Sequence, residues 1–549
     1  MDVAQAVAET LGRLGARYLF GLIGSGNFAV TNALVARGVE FVAARHECAA
    51  VTMADAYARV TGTVGLCTVH QGPGLTNAMT GLTEAAKSRT PLLLLAADTA
   101  ASAIRSNFRI DQDGLVESVG AIAERVHGPQ SAVNDTMRAY HRARVERHPV
   151  VLILPLDIQA APVLEIPDTL PPFPVIRPVR PADAAVAEAA DALAGAQRPM
   201  IIAGRGAVLA SAGEDLARIG DQVGALLATS AVANGLFAAN PWSVGISGGF
   251  ASPAAAELIA QANVVLAVGA SLTMWTTRHG RLVDPDATVI QVDHEASAIG
   301  ANHRADVAVV GDAGETVRAL HAALERRDIP PSGWRNSEVA RQIQRGSWHE
   351  TSYDDAGDNT LIDPRTLSKT LDALLPEERT VAVDSGHFMG YPAMYLHVPD
   401  AQSFVFTQGF QAVGLGLATA IGAAVARPDR LTVAGLGDGG AMMSLPDLET
   451  VGRLGLKMLI VIYNDSAYGA EVHHFGPHGA PLDIVRFPDV DFAALARAVG
   501  LQGATVREPS DLHVVETWLA GGAMSALVLD AKVVPTVVAE WLEEAFRGH

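Results

Sequence analysis

The sequence predicts an α/β protein made of three doubly wound domains, each built around a parallel sheet. The first observation is length, because 549 residues exceed one ordinary core and correspond to about three domains. The second is the alternation of short apolar runs with amphipathic helical patterns. The third is a repeated order of strand, glycine loop, helix and strand, found at residues 65–98 and again at 431–471. This repeat indicates two related outer domains.

The first domain is predicted to span residues 1–165. Its apolar runs are short and bounded by glycine or polar loops, which is typical of buried strands, and helical patterns lie between them. The predicted elements are helices beginning at Val3 and Glu47 and strands at Tyr18 to Phe20, Val39 to Ala43 and Val64 to Val69.

A proline-rich stretch from Pro162 to Pro181 is predicted to be a linker to a second α/β domain at residues 182–326. The glycine loop Gly204 to Gly206 in this domain is too weak a signal to establish a nucleotide site. Residues 325 to 361 are polar and mixed, which indicates a helix and a connector. The predicted strands of the second domain are Met200 to Ala203, Val264 to Val268, Thr288 to Val292 and Val307 to Val310.

The third domain is predicted at residues 360–535, followed by an acidic amphipathic helix at 536–549. Within this domain, Leu431 to Leu436 and Met458 to Tyr463 are predicted to be buried parallel strands. Ser444 is predicted to cap the helix between them, because apolar residues then recur on one helical face.

Both strand ends in this segment carry carboxylates. Asp438 follows the first strand, and Asn464-Asp465 follows the second. Because parallel strands joined by one helix leave the sheet at the same edge, these groups are predicted to meet. Hard oxygen ligands suit Mg²⁺, which commonly shares its coordination with substrate phosphates. The loop between them allows close approach of an anion at the bare amides of Gly437, Gly439 and Gly440.

The same loop has a second interpretation. Gly435 to Gly440 satisfies the G-x-G-x-x-G pattern, which after a strand and before a helix can mark a dinucleotide site. A dinucleotide site requires an acid for the ribose at the end of the next strand, whereas here that strand ends in Asn464-Asp465. Asp438 inside the loop would also repel a pyrophosphate unless a cation intervened. The local chemistry therefore favours a metal-diphosphate site.

Composition narrows the partners and the location. The net charge of −19 argues against a nucleic-acid partner, because phosphates would be repelled. The N-terminus has Asp2 and Glu9 in an amphipathic pattern unlike a signal peptide, and no apolar run is long enough to span a bilayer. We therefore expect a cytoplasmic protein without a membrane partner. Cys48 and Cys67 lie in apolar surroundings and predict neither a disulfide nor a metal site.

The spacing of Gly437-Asp438-Gly439 and Asn464-Asp465 resembles the cofactor motif of the thiamine-diphosphate enzymes related to pyruvate decarboxylase and acetolactate synthase. The resemblance covers the whole chain and implies, in order, a pyrimidine-binding, a central and a diphosphate-binding domain. It implies thiamine diphosphate and Mg²⁺ as cofactors. The implied metal ligands are Asp438, Asp465 and the backbone carbonyl of Ala467.

The resemblance also implies residues that act on the cofactor. Arg45-His46-Glu47 resembles the segment whose glutamate bonds the aminopyrimidine ring, although an acid at a helix start can simply favour the helix dipole. The segment from Gly409 to Gly416 resembles the one that bends the cofactor, with Val413 beneath the two rings and the Gln411 carbonyl at the 4′ amino group. Its alternative is a glycine-rich helix entry. Ser385-Gly386-His387 resembles a second loop contacting the diphosphate.

Substrate-side residues follow from a resemblance to benzoylformate decarboxylases, acetolactate synthases and pyruvate decarboxylases. Ser25 and His70 match a serine and a histidine near the substrate carboxylate, and a neutral histidine can move protons. Gln112 resembles an active-site glutamine, and Glu471 a glutamate used in protonation and release. The alternatives are a loop histidine bonded to backbone for His70 and a solvated turn for Glu471. His473, His474 and His279 are further candidates for this pocket.

Departures from the family limit the substrate. Acetolactate synthases carry a lysine in the segment where Pro155-Leu156-Asp157 stands here, and their substrate arginine and a tryptophan have no counterpart. These departures argue against a biosynthetic acetolactate synthase. They also argue against a need for FAD, and FAD binding stays an open alternative.

The predicted function is a thiamine-diphosphate- and Mg²⁺-dependent carboligase or lyase that decarboxylates a 2-oxo acid and transfers the acyl group to a second carbonyl. One alternative is a simple 2-oxo acid decarboxylase that releases an aldehyde. A second is a non-catalytic regulator that binds the cofactor or a nucleotide, and a third is a nicotinamide dehydrogenase, which would lack its ribose acid. The resemblance implies a homodimer or homotetramer with active sites at the subunit interface.

Overall fold

The computed structural model describes residues 1–163 and 165–547. Within them the chain forms three α/β domains, each with one six-stranded parallel sheet flanked by helices. The predicted fold class is thus confirmed. The central strands of each sheet are apolar throughout because helices cover both faces, so that β-strands such as Leu92–Asp98 and Met458–Asn464 are almost wholly buried.

The first sheet has the strand order β2-β1-β3-β4-β6-β5. The predicted strands agree with it to within one or two residues. The strands are β1 (Tyr18–Gly21), β2 (Glu40–Ala43), β3 (Gly65–Val69), β4 (Leu92–Asp98), β5 (Ile122–Arg125) and β6 (Pro149–Pro155). The helices are α1 (Val3–Arg13), α2 (Phe28–Val35), α3 (Glu47–Thr61), α4 (Pro73–Lys87), α5 (Gln112–Ser118), α6 (Ala132–Glu146) and α7 (Leu156–Gln159).

The central sheet has the order β12-β11-β10-β7-β8-β9. Sequence reasoning missed β8 and β9, which are short and lie among turns. The strands are β7 (Pro199–Ala203), β8 (Leu226–Thr229), β9 (Ser243–Ile246), β10 (Val264–Val268), β11 (Thr288–Asp293) and β12 (Val307–Val310). The α-helices are α8 (Asp183–Ala194), α9 (Arg205–Leu209), α10 (Gly213–Val223), α11 (Pro253–Ala260), α12 (Met274–Thr277), α13 (Ala313–Glu325) and α14 (Ser337–Arg345), with 3₁₀ turns at Ala231–Ala233 and Ala296–Ala298.

The third sheet has the order β14-β13-β15-β16-β18-β17. The strands are β13 (Arg379–Val383), β14 (Phe404–Phe406), β15 (Leu431–Gly437), β16 (Met458–Asn464), β17 (Gln502–Val506) and β18 (Leu527–Lys532). The α-helices are α15 (Pro364–Leu374), α16 (Gly390–Tyr395), α17 (Gly416–Ala426), α18 (Asp438–Met443), α19 (Asp447–Leu454), α20 (Gly469–Phe475), α21 (Phe492–Ala498), α22 (His513–Ala520) and α23 (Leu542–Ala545). The 3₁₀ turns are His387–Met389, Ala401–Ser403, Gly476–His478, Asp483–Val485 and Pro509–Leu512.

The two outer sheets have the same strand order when strands are numbered within each domain, so the repeat seen in the sequence extends to whole domains. The outer domains of one chain also share a core. Helix α3 packs on α17, and a Cβ on Gly422 would lie only 2.2 Å from the carbonyl oxygen of Met53. Because no side chain separates the helices at Gly422, they approach closely.

Two local predictions are wrong. Ser444 does not cap the helix that follows it, because α18 precedes it and the Ser444 hydroxyl donates to the Gly440 carbonyl at 2.9 Å, at the end of that short helix. The predicted glycine loop is thus partly helical, and Pro446 precedes α19. The predicted C-terminal helix at 536–549 is only α23 in the described residues; positions 548–549 lie outside them.

The predicted linker, apart from position 164, which lies outside the described residues, carries no helix or strand. Prolines remove backbone donors there, so neither a helix nor a sheet ladder can form regularly. Among the described helices, none combines the length and the apolar character needed to cross a bilayer.

Candidate active site

The carboxyl edge of the third sheet brings Asp438 and Asp465 together. Gly437 pairs with Tyr463 across β15 and β16, so the residues after both strands emerge side by side. The two carboxylates are hydrogen-bonded to each other. Burial raises the pKa of both, and the charge of Asp465 raises that of Asp438 further. Two adjacent buried acids of this kind are stabilised when a cation replaces their shared proton.

Glycines keep the space beside this pair open. A Cβ on Gly439 would lie 2.7 Å from the Tyr468 ring, and one on Gly469 would lie 2.6 Å from Asp465 Oδ2. The hard oxygen donors and the bare backbone therefore fit Mg²⁺ and a diphosphate. The dinucleotide interpretation fits less well, because Gly435 is a buried residue inside β15 and does not belong to a loop.

The loop that carries Gln411 and Val413 is held by a residue that sequence reasoning passed over. The buried carboxylate of Asp384 accepts hydrogen bonds from the backbone N–H groups of Gly414 at 3.0 Å and Leu415 at 3.2 Å. Burial raises the pKa of Asp384 to about 6. The sequence signal that could have identified Asp384 is its position at the end of an apolar strand, directly before Ser385.

This loop presents Val413 with 42% of its surface exposed, as an apolar wedge requires. Gln411 has a φ of 61°, in the left-handed region that is costly for a side-chain residue. Its carbonyl accepts a hydrogen bond from the Ser385 hydroxyl at 3.3 Å. The predicted contact of the Gln411 carbonyl with the cofactor amino group remains a prediction.

Two more predicted residues, His387 and His473, lie next to the Asp438–Asp465 pair. His387 is buried against Gly469, and its ring lies 4.3 Å from the ring of His473. His473 Nε2 is buried and has no hydrogen-bond partner in the described residues. Glu471 is on the same helix, α20, and is partly exposed. His474 instead stacks on Phe546 at 3.8 Å, so its ring contacts the chain terminus.

Glu47 lies at the carboxyl edge of the first sheet, at the first turn of α3. Its side chain is 7% exposed, and Glu47 Oε2 accepts a hydrogen bond from the Asn77 amide at 3.1 Å. A Cβ on Gly74 would lie 3.5 Å from Glu47 Oε1 and 3.0 Å from the Cβ of His70. Glu47 and His70 therefore line one space, and Asn77 is a contributor that sequence reasoning missed.

The remaining first-domain candidates surround His70. Its Nδ1 is buried without a partner in the described chain, and its ring contacts Phe108 at 5.0 Å. Ser25 lies exposed in the neighbouring turn, where a Cβ on Gly24 would lie 2.8 Å from the His70 ring. An unpartnered ring nitrogen on a histidine packed against an accessible turn is consistent with the predicted substrate side.

Gln112 has a different environment. Its Nε2 donates to the Ala97 carbonyl at 2.9 Å, and its Oε1 accepts from the Gly72 N–H at 2.8 Å. The Gln112 amide therefore links the end of β4 to the backbone turn that precedes α4. The predicted substrate contact of Gln112 stays a prediction, and its visible role is to position that turn.

Within one chain, helix α4 contacts the Glu47 side chain near its start and the loop that carries Val413 near its end. Asn77, near its start, bonds Glu47, whereas Glu84, near its end, accepts the N–H groups of Gly409 at 3.0 Å and Phe410 at 2.6 Å. These contacts are about 10 Å apart along the helix axis, since an α-helix rises 1.5 Å per residue. Glu84 thereby anchors the start of the Val413 loop about two helical turns from the contact of Asn77 with Glu47 of the same chain.

A second group of possible metal ligands consists of His349, Asp372 and His397. The two imidazoles stack at 4.6 Å with 16° between their planes, so a single ion could not lie in the planes of both rings. Asp372 also forms an ion pair with Arg379. This group is therefore a hydrogen-bonded ion-pair network, and His279, another predicted candidate, bonds the carbonyl of Glu544.

The central glycine loop is used for packing. The Gly206 N–H donates to the Gly269 carbonyl at 3.1 Å, and Arg205 reaches the Ser88 carbonyl of the first domain. Arg205 is partly buried, and the loss of solvent around its guanidinium lowers its pKa to about 10. The loop thus joins two domains of the chain through Arg205.

Three domain models of one family match the chain in order. The thiamine pyrophosphate enzyme N-terminal TPP binding domain matches residues 1–121, the central domain matches residues 186–320, and the C-terminal TPP binding domain matches residues 384–525. The N-terminal TPP binding domain contains Glu47, and the C-terminal TPP binding domain contains Asp438 and Asp465.

The chain is also similar over most of its length to proteins of several activities. A probable 2-ketoarginine decarboxylase AruI of Pseudomonas aeruginosa is 30% identical over 95% of this chain and 92% of its own length. A sulfoacetaldehyde acetyltransferase of Castellaniella defragrans is 28% identical over 93% of this chain and 89% of its own. A probable acetolactate synthase large subunit of Methanocaldococcus jannaschii is 26% identical over 93% and 88%.

Proposed function

This chain belongs to the thiamine pyrophosphate enzyme family, and from that premise we propose that it decarboxylates a 2-oxo acid and transfers the acyl group to a second carbonyl. It is a thiamine-diphosphate-dependent enzyme of C–C bonds, with the Mg²⁺ that is usual for the family. The observation that carries the proposal is the buried pair Asp438–Asp465 at an open sheet edge, together with the buried acid Glu47 on the other outer domain.

Each residue has a distinct role in this proposal. Asp438, Asp465 and the Ala467 carbonyl would hold Mg²⁺, whose charge would favour binding of the diphosphate. When bound, thiamine diphosphate supplies the electron sink for the carbanion that decarboxylation leaves. Val413 supports the bent form of the cofactor, and Glu47 holds a proton at the aminopyrimidine nitrogen.

The substrate side is formed by the turn at Ser25, by His70 and by the α20 residue Glu471. The two ring nitrogens of a neutral His70 can accept and donate a proton in sequence, and its buried Nδ1 has a free hydrogen-bonding capacity in the described chain. Ser25 can orient a substrate carboxylate through its hydroxyl. Glu471 can return a proton to the product.

The acceptor decides between two activities. Acyl transfer is supported by relatives named acetolactate synthase and sulfoacetaldehyde acetyltransferase. Simple decarboxylation is the second candidate, because Glu471 is on α20, the helix whose Gly469 borders Asp465, and a relative is named 2-ketoarginine decarboxylase. FAD is not part of either proposal.

A complete active site requires two chains in this proposal. Within one chain, Glu47 and the Val413 loop contact different ends of α4, and apolar side chains are exposed near both. We therefore expect a homodimer or homotetramer in which Glu47 of one copy faces the cation site of another. Partly exposed Val413, Phe410 and Met443 would then be covered.

A product panel tests the activity. Purified protein with thiamine diphosphate and Mg²⁺ is given a series of 2-oxo acids, each with and without an acceptor aldehyde or ketone, and products are identified by mass spectrometry. Acyl transfer predicts 2-hydroxyketones that appear only when the acceptor is present. Aldehyde formation that is independent of acceptor would support the decarboxylase, and carbon dioxide release from none of the substrates would contradict both.

A further inference from the structure

The tail segment, residues 534–546, donates two hydrogen bonds to His387. The Ala539 N–H donates a hydrogen bond to His387 Nε2 at 2.8 Å, and the Trp541 indole N–H donates to the His387 carbonyl at 3.1 Å. A backbone N–H can only donate, so Nε2 must be the acceptor and carries no proton. In a neutral ring the proton is therefore on Nδ1.

The His387 ring is neutral over the physiological pH range. Its side chain is 7% exposed, and burial, together with the neighbouring His473, lowers its pKa to about 3. The choice between its two tautomers is consequently left to its hydrogen-bond partners. Within residues 1–163 and 165–547, Ala539 is the group that bonds Nε2, and no protein group accepts a hydrogen bond from Nδ1.

Nδ1 faces the proposed diphosphate space. A Cβ on Gly469 would lie 3.5 Å from His387 Nδ1 and 2.6 Å from Asp465 Oδ2, so both atoms border the room left by the missing side chain. A proton on Nδ1 makes this atom a donor toward a phosphate oxygen. With the proton on Nε2, a lone pair would face the phosphate and repel it.

The tail segment is fixed on both sides of Ala539, and before it the Tyr391 hydroxyl donates a hydrogen bond to the Val537 carbonyl at 3.0 Å. A Cβ on Gly390 would lie 2.4 Å from the Trp541 ring, so Trp541 is seated on the third domain. On the central domain, His279 Nε2 lies 2.8 Å from the Glu544 carbonyl, and Arg281 pairs with the Glu544 carboxylate. Contacts with two domains therefore determine where the Ala539 N–H points.

We propose that the tail segment selects the Nδ1–H tautomer of His387 through the Ala539 N–H, and thereby makes His387 a hydrogen-bond donor to the cofactor diphosphate. Ala539 is in this sense a positioning residue, since it acts only through His387. The proposal rests on the proposed cofactor site at Asp438 and Asp465. It assigns the end of the chain a role in cofactor affinity.

The test replaces one hydrogen bond. Ala539→Pro removes the N–H donor, and Ala539→Ser, the matched control, keeps it. Histidine-labelled protein without cofactor is examined by ¹⁵N NMR, with His387 assigned by the loss of its signals in His387→Asn. The wild type and Ala539→Ser should show the Nδ1–H tautomer, and Ala539→Pro should show a mixture of tautomers.

Cofactor affinity is the second readout, measured by equilibrium dialysis of thiamine diphosphate at fixed Mg²⁺. We expect Ala539→Pro to weaken binding about 10-fold, the effect of one charge-assisted hydrogen bond, and Ala539→Ser to change it little. His387→Asn keeps an N–H near the δ position without needing Ala539, so adding Ala539→Pro to it should weaken binding no further.

Three results would overturn the proposal. One is a wild-type His387 that carries its proton on Nε2, which needs no variant to observe. Another is equal weakening by the proline and serine variants, which would indicate lost packing. The last is unchanged affinity in a folded Ala539→Pro. Failure of the cofactor site itself is separable, because wild-type protein would then not bind thiamine diphosphate while its His387 tautomer could still be read.

Discussion

The first and third domains have the same strand order but place different charges at the same edge. In the third domain, the ends of β15 and β16 carry Asp438 and Asp465, and no described lysine or arginine forms an ion pair with either. In the first domain, the corresponding β4 ends in Asp98, which Arg125 binds at 2.7 Å. The acid at the end of β4 thus has a cationic partner, whereas the two acids after β15 and β16 do not.

The comparison shows that the shared strand order brings acids together at the same edge of both sheets. Whether such acids can bind a metal ion depends on whether they already have a cationic partner. Arg125 bonds Asp113 as well, at 2.6 Å, so Asp98 and Asp113 already share a cation. The third-domain acids raise each other's energy when both are ionised, which a divalent ion relieves. The first domain instead contributes Glu47, whose neighbours are the neutral Asn77 and His70.

The largest expected effect comes from the acids of the third domain. Asp438→Asn and Asp465→Asn each remove a ligand of the proposed Mg²⁺ site, and we expect the affinity for thiamine diphosphate at fixed Mg²⁺ to fall by at least about 100-fold. Equilibrium dialysis measures this loss, and 2-oxo acid turnover should disappear with it.

The topological counterpart in the first domain is the control. Asp98→Asn should leave cofactor affinity within about twofold of wild type, since its partner Arg125 retains Asp113. If Asp98→Asn weakened binding as much as Asp438→Asn, the division of roles between the two sheet edges would be wrong.

The next effect concerns how the two edges meet. Glu47→Gln and Asp438→Asn should each be inactive alone. Coexpressed in equal amounts, they should regain about a quarter of wild-type activity, because half of the random dimers are mixed and each mixed dimer has one intact site. Activity assays on the copurified mixture measure this recovery.

Recovery requires Glu47 and Asp438 of one site to come from different chains. If both came from the same chain, every mixed dimer would hold one site without Glu47 and one without Asp438, and activity would stay at the background. Mixed dimers isolated through two different affinity tags, one on each variant, should have about half of wild-type activity, because one of their two sites is intact.

Much of this division could be predicted from the sequence. Apolar runs ending in Asp438 and Asp465 indicate parallel strands and a shared edge, and Glu47 begins a helix directly after a predicted strand. These signals are local, because each depends on a few neighbouring residues and on the period of a strand or helix.

The contacts that hold the loops could not be predicted in the same way. Glu84 bonds Gly409 and Phe410, which are more than 300 positions away in the sequence, and Ala539 reaches back to His387. No local pattern marks such pairs, since the partners on one side are backbone N–H groups that every residue except proline has. Ser444 failed for the related reason that a serine can bond the turn before it as well as the helix after it.

The smallest expected effect compares two loops, the one after β1 in the first domain and the Val413 loop after β14 in the third. In the first domain the neutral Asn27 holds the loop, accepting the Gly24 N–H at 2.9 Å and donating to the Leu22 carbonyl at 3.0 Å. In the third domain the acid Asp384 does so, with its pKa raised to about 6 by burial. Only the second loop should respond to pH.

The sign follows from proton binding by the two states of Asp384. Its pKa is raised from the ordinary aspartate value of 3.8 in the unfolded chain to about 6 in the folded protein, so between these values the folded protein binds more protons. The free energy of unfolding should therefore fall as pH rises through this window, by up to about 3 kcal/mol, and Asp384→Asn should remove that fall. Urea unfolding without cation or cofactor, at several pH values, measures the difference between wild type and variant. Asn27→Ala should lower stability equally at each pH, and a wild type whose pH slope matched that of Asp384→Asn would show that Asp384 does not titrate differently in the folded state.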